Sequence, residues 1–206
     1  MDLKRLLNEW THLDYVDPKD LPNIELYMDQ VTTFMDDQLK GCKRNPEDKI
    51  LTKTMINNYS KNHLLPPSNR KKYSKEHLIL LIYIYYLKNF LSITDIKNLL
   101  TPLTELFYEK ESPSISFEQI YEEMFQDVSK HYLPLKKDLF RSLKDSKTTF
   151  TDVENKEEQE FLQMLSFITM LSYDIYMKKQ IIEDIIDQFY TPSEEDAKKK
   201  KKKKDD

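Results

Sequence analysis

A single glycine, Gly41, stands in the whole chain of 206 residues. Neither a phosphate-cradling P-loop nor a GxGxxG turn can be built without glycines, so the common nucleotide-binding motifs are excluded. Cysteine is as scarce. Cys42 is the only one, which leaves no internal disulfide and no multi-cysteine zinc site. Apolar runs are short: the longest, LILLIYIYYL, covers ten residues from Leu78 to Leu87. A helix needs roughly 20 to cross a bilayer. The opening MDLKRLLNEW runs straight into polar residues and does not read as a signal peptide. The expectation is a cytoplasmic chain with no membrane partner.

What is present is a core and an uneven charge. With 39% hydrophobic residues the chain can bury an interior, and the net charge is −4. Between Ile50 and Leu100 there are eight basic residues, Lys53, Lys61, Arg70, Lys71, Lys72, Lys75, Lys88 and Lys97, against two acids, Glu76 and Asp95. This segment therefore carries +6 and the rest of the chain −10. Such asymmetry marks contact with a polyanion or, more plainly, a solvated face.

Periodicity and caps give the organisation. Ile24, Tyr27, Met28, Val31, Phe34, Met35 and Leu39 recur at spacings of three and four and predict a helix over 24–40. Lys40 to Lys49 contains Pro46 and predicts a loop. Thr52 is placed to cap a short polar helix that stops near Asn62 and His63, ahead of Pro66 and Pro67. Ser74 caps the apolar helix. Ser92 and Asp95 form a capping box for a short helix to Leu100, and Pro102 opens another. Ser116 with Gln119 starts a helix toward His131, which Pro134 interrupts before a further helix through 139–143. Thr151 with Glu154 opens a long last helix to about Tyr190. Phe161, Ile168, Ile175, Ile182 and Phe189 give it a seven-residue rhythm, with Met164, Leu171 and Ile185 in a second seam broken by Lys178. Heptads of this kind pack on another helix, either at home or in a homodimer through 152–190. Strand signals are confined to the segments flanking SNRK. The tail beyond 192, with seven consecutive lysines, is low-complexity and reads as disordered.

The stretch LTKTMINNYSKNHLLPPSNRKKY, Leu51 to Tyr73, joins these observations. Two helices linked by a turn, the second polar on its outer face, followed at once by a basic loop, match a winged helix-turn-helix. A recognition helix needs amide or small side chains to reach base edges, and Asn pairs in a bidentate way with adenine. A wing needs Arg and Lys to neutralise phosphates. Lys53, Thr54, Asn57, Asn58 and Lys61 share the outward face and are the candidate major-groove contacts.

At these residues the sequence resembles MerR-like transcriptional regulators. MINNYSKNHLLPP, then KKYSKEHL, then FLSITDIKNLL follow that pattern over about residues 26–100. Tyr59, Leu64, Leu65, Pro66, Tyr73, Leu91, Ser92, Ile96 and Leu100 sit at matching positions. The resemblance implies that Tyr59, Arg70, Lys71, Lys72 and Tyr73 contact the backbone of double-stranded DNA. The chain departs from the pattern in three places. Asn57 replaces an arginine, His63 replaces a glycine, and the turn Lys40 to Lys49 is longer than three or four residues. LYMDQVTTFM with LTKTMINNY also resembles an uncharacterised bacterial family known only as a domain of unknown function.

Catalytic constellations are weak. His12, His63, His77 and His131 have no ligand spacing, so no metal or cofactor is expected. Cys42 lies beside Lys40, Lys43 and Arg44 without a His or Asp partner in sight. The pairs Glu122–Glu123, Glu157–Glu158 and Glu194–Glu195 fall in charged stretches. The expectation is a non-enzyme with an all-α fold, a MerR-like winged helix-turn-helix followed by a C-terminal helical bundle with a long last helix. Its parts are an N-terminal arm (1–22), the winged domain (23–110), a C-terminal helical region (111–192) and a lysine-rich tail (193–206). The alternative is an all-helical adaptor that binds protein through its acidic C-terminal half, with RNA binding through the wing as a third reading. No small-molecule effector is named by the sequence.

Overall fold

The computed structural model describes Arg5, residues 15–108 and residues 114–189. The lysine tail and most of the N-terminal arm, His12 included, lie outside the described residues. Six α-helices and a two-stranded ribbon are present among them. In chain order they are a 3-10 turn at Pro18–Asp20, β1 (Leu26–Tyr27), α1 (Met28–Gln38), a second 3-10 turn at Lys40–Cys42, α2 (Lys53–Lys61), β2 (Lys72–Tyr73), α3 (Lys75–Leu87), α4 (Ile93–Tyr108), α5 (Phe117–Ser146) and α6 (Lys156–Phe189).

The core is built around α3, which is apolar on every side, as a fully buried helix must be. Leu78 through Ile82 and Ile84 have no exposed surface at all. Val31 and Met35 of α1, Ile56 of α2 and Ile96 of α4 are equally buried, and all join one cluster. The long segment between α1 and α2 is a loop, as its composition predicts, but an anchored one: Ile50 and Leu51 at its end drop into the core.

Local signals place most helix starts. The Thr52 hydroxyl accepts from the Met55 N–H at 3.2 Å. The Ser92 hydroxyl accepts from the Asp95 N–H while Asp95 accepts from the Ser92 N–H. Ser116 and Gln119 make the same reciprocal pair. These boxes satisfy backbone donors that the first turn leaves free.

Four expectations are corrected. The helix predicted over 24–40 begins only at Met28: Leu26 and Tyr27 are extended and pair with Tyr73 and Lys72, leaving Ile24 exposed. Pro102 lies inside α4, and Pro134 lies inside α5. A proline removes one helical N–H and crowds the carbonyl four residues back. Both helices nonetheless run through it because their apolar faces keep register across it. In α4 Ile96 and Leu100 continue to Leu103, and in α5 Tyr121 and Phe125 continue to Leu139 and Leu143. The last helix starts at Lys156, capped by Asn155, whose side-chain oxygen accepts from Glu157 and Glu158, rather than at Thr151.

The C-terminal region is a helical hairpin rather than a bundle. α5 is pinned to the core by Phe117 and Tyr121, and α6 returns to it through Ile186. The two helices also meet at the far end, where Leu143 and Phe167 pack with Leu139, Phe140 and Leu171. Gln163 closes that end by donating to the Lys147 and Thr149 carbonyls at 3.1 and 3.0 Å. Between the two anchor regions, residues 172–178 of α6 are exposed on every side. No described helix is long and apolar enough to cross a membrane.

Candidate nucleic-acid interface

α2 is nine residues long and divides cleanly. Ile56 and Tyr59 turn inward, whereas Lys53, Thr54, Asn57, Asn58 and Lys61 are all exposed. Their spacing of one, three, one and three puts them on a single face. All five residues assigned to that face by the sequence are brought together there. The helix ends as its Asn-His sequence suggests. Asn62 donates its side-chain amide to the Asn58 carbonyl, His63 takes φ 56°, and Leu64 and Leu65 donate to the Tyr59 carbonyl. Leu64 and Leu65 then enter the core.

The basic loop is a two-residue hairpin. Asn69 and Lys72 exchange backbone hydrogen bonds at 3.1 and 2.8 Å, with Arg70 and Lys71 at the tip. Both tip residues have positive φ, 48° and 64°. That is the geometry of a type I′ turn, which normally takes Asn-Gly because a side chain there crowds the backbone. Two long basic residues hold it instead, at a cost of about 1–2 kcal/mol each. Strain of this kind gathers where a protein needs a particular side chain in a particular place. Lys71→Gly is therefore expected to raise stability by about 1 kcal/mol, read from urea unfolding; an unchanged or lower midpoint would remove the strain from the account.

β1 fastens the hairpin to the first helix and brings it beside α2. Lys72 pairs with Tyr27, and the Lys72 ammonium lies 5.6 Å from the centre of the Tyr27 ring. Two residues on, Asp29 pairs with Lys53 in the first turn of α2. The hairpin and the start of α2 thus hold the same short stretch, Tyr27 to Asp29. Both partners of the Lys53–Asp29 pair are well exposed, so its net worth is small. Arg70 and Lys71 are exposed and Lys72 is half-buried.

Two expected backbone contacts are placed differently. Tyr59 and Tyr73 are 8% and 4% exposed, and their rings belong to the core. Tyr73 meets His77 edge-on at 5.6 Å. Tyr27, which the sequence reading assigns to a helix, is the exposed aromatic at this surface. Its position follows from the alternation within β1, where Leu26 is buried and Tyr27 exposed.

A cleft of about 660 Å³ opens between α1 and the segment leading into α2. Asp36, Asp37, Glu47 and Asp48 line it beside Lys43 and Lys53. Those carboxylates disfavour a polyanion in the cleft. Among the described residues no group of three or more His, Cys, Asp and Glu is placed to hold a metal. Cys42 is a half-buried thiol that packs against the core.

His77 sits at the root of the hairpin. Its Nδ1 accepts from the Ser74 backbone N–H at 3.2 Å, closing the first turn of α3 as a neutral ring. Burial lowers its pKa from the usual 6.5, against an opposite pull from the Pro66 and Pro67 backbone and from Glu76 and Glu25. A depressed folded pKa means that the unfolded chain takes up the proton first, so this group withdraws stability as pH falls below about 6.5. His77→Gln keeps an acceptor for the cap and removes the titration. Urea midpoints of the variant are expected to vary less than those of the parent between pH 7 and 5; parallel curves would exclude His77 as the source.

The class defined so far is a helical domain carrying a short basic ribbon beside a polar helix, with a two-helix arm. The chain matches the family described as Domain of unknown function (DUF1836) over residues 16–124, just over half of its length, and it belongs to that family. The match takes in α1 to α4 with the ribbon and ends inside α5, so most of the arm lies beyond it. No curated protein and no solved structure matches the chain.

Proposed function

We propose that the chain is a DNA-binding transcriptional regulator whose residues 26–100 act as a MerR-like winged helix-turn-helix on double-stranded DNA. α2 enters the major groove, where Asn57 and Asn58 read base edges with Lys53, Thr54 and Lys61 around them. Arg70, Lys71 and Lys72 grip phosphates, which sets position rather than sequence preference. Tyr59 and Tyr73 hold the helix and the hairpin from inside. The order ribbon strand, helix, helix, hairpin, helix, helix supports this reading. The observation that carries it is the hairpin tip, where two basic side chains occupy strained positions that glycine would fill without cost.

An adaptor that binds protein through the C-terminal arm is the rival. It draws support from α6, which holds eleven of the twenty-one large hydrophobic side chains that stand exposed among the described residues.

The two readings separate in a titration of the chain lacking residues 193–206, whose lysines bind polyanions unaided. Five cations per protomer at the interface predict a slope of log K against log salt near −4.5, or about a 500-fold loss between 50 and 200 mM. Duplex DNA is expected to bind with that dependence and in preference to RNA. Absence of DNA binding at the lower salt would leave the adaptor, and preference for RNA would replace the ligand.

A further inference from the structure

Among the described residues, nothing covers the outward face of α6. Phe161, Leu165, Ile168, Ile175 and Tyr176 are 64, 48, 52, 62 and 55% exposed. Taken at roughly 100 Å² each, half of what an aromatic side chain can bury, these five with Phe189 give this one face roughly 600 Å², and further exposed hydrophobics of α6 flank it. A standard interface takes about 800 Å² from each partner. We propose that this face pairs α6 with α6 of a second copy of the chain, antiparallel, about a two-fold axis at Ile175.

Three observations select that occupant and that direction. The seven-residue series requires a helical partner of similar length and rhythm, and α6 itself is such a helix. The series is also symmetric about its middle. Reversal about Ile175 sets Phe161 over Phe189 and Ile168 over Ile182, the self-complementary arrangement that a two-fold interface demands. Charge decides the direction. Residues 161–173 hold no charged side chain, while 174–187 hold Asp174, Lys178, Lys179, Glu183, Asp184 and Asp187. Antiparallel pairing lays the charged half of one helix along the uncharged half of the other. Parallel pairing would set each acid beside its own copy, which is destabilising.

Ile182 alone in the series turns partly into the chain's own core. A straight α-helix drifts by about 20° per heptad from a 3.5-residue seam, so the stripe leaves the free side as α6 nears its anchor at Ile186. The contact is therefore tightest around the axis at Ile175. This pairing stands independently of nucleic-acid binding. It would set two DNA-reading modules at a fixed separation if they are present.

The test uses full-length chains with Cys42→Ser and one new cysteine each. Ile175→Cys is expected to cross-link to itself under mild oxidation. Phe161→Cys is expected to remain uncrosslinked alone and to link when mixed with Phe189→Cys. Self-linking of Phe161→Cys as readily as of Ile175→Cys would overturn the antiparallel direction. The wild-type chain is expected to sediment at twice its monomer mass, and Ile168→Glu with Ile175→Glu to weaken self-association by at least a hundredfold while the monomer keeps its helical circular dichroism, since both side chains are exposed in the single chain. A wild-type chain that sediments as a monomer at high micromolar concentration would overturn the interface itself.

Discussion

Replacing Arg70, Lys71 and Lys72 together by alanine is expected to cut duplex-DNA affinity on the order of a hundredfold at 0.15 M salt. The figure follows from counterion release. Three phosphate contacts fewer make the log–log salt slope shallower by about 2.7, and that exponent acts over the interval between 0.15 M and a 1 M reference. Folding should be preserved, because the two tip side chains are exposed and their left-handed positions are a burden on the native state. The loss should fall almost equally on all sequences, since phosphate contacts carry no sequence information. Titrations of parent and variant at four salt concentrations measure the slopes. Parallel lines would remove the hairpin from the interface even if the chain binds DNA elsewhere.

The second large effect is on stability. Tyr121 of α5 is fully buried, and its hydroxyl donates to the Val16 carbonyl at 2.7 Å. Its ring stacks on Tyr15 at 5.6 Å and meets Tyr83 edge-on at 5.8 Å, while Tyr15 stacks in turn on Tyr86 at 5.3 Å. Burial pushes the Tyr121 phenol far above its usual pKa, so it stays a neutral donor. This one side chain ties the arm, the central helix and the segment entering the domain. Tyr121→Ala is expected to cost about 3–5 kcal/mol, a large share of the roughly 5–15 kcal/mol that holds a domain together. Tyr121→Phe keeps the stacking and strands the Val16 carbonyl, for about 1–3 kcal/mol. Urea unfolding orders the three proteins. An alanine variant as stable as the parent would mean that α5 is not held at Tyr121, and the hairpin's attachment to the core would have to be revised.

Legibility in the sequence followed the range of the interaction. Thr52, the Ser92–Asp95 pair and the Ser116–Gln119 pair act within one helical turn, and each cap was found where its spacing placed it. The central position of α3 was equally plain, because an uninterrupted apolar run has nowhere else to go. Long-range effects were hidden. Pro102 and Pro134 are local breakers overruled by apolar faces that continue on both sides. Leu26 and Tyr27 became a strand because a partner more than forty residues away offered backbone groups to pair with. Tyr59 and Tyr73 resemble backbone contacts by position, yet both lie on the inward side of short elements, which only the packing decides. The exposed face of α2 was readable because helical spacing alone sorts Asn57 and Asn58 from Ile56 and Tyr59.

The central claim is that α2 reads sequence. The direct measurement is selection from a pool of randomised DNA duplexes by the parent chain without residues 193–206 and by its Asn57→Ala, Asn58→Ala variant. The account predicts that the parent enriches a defined motif, and that the variant still binds with a steep salt dependence but loses preference at one or two positions. Enrichment of an identical motif by both chains, or no enrichment by either, would contradict it.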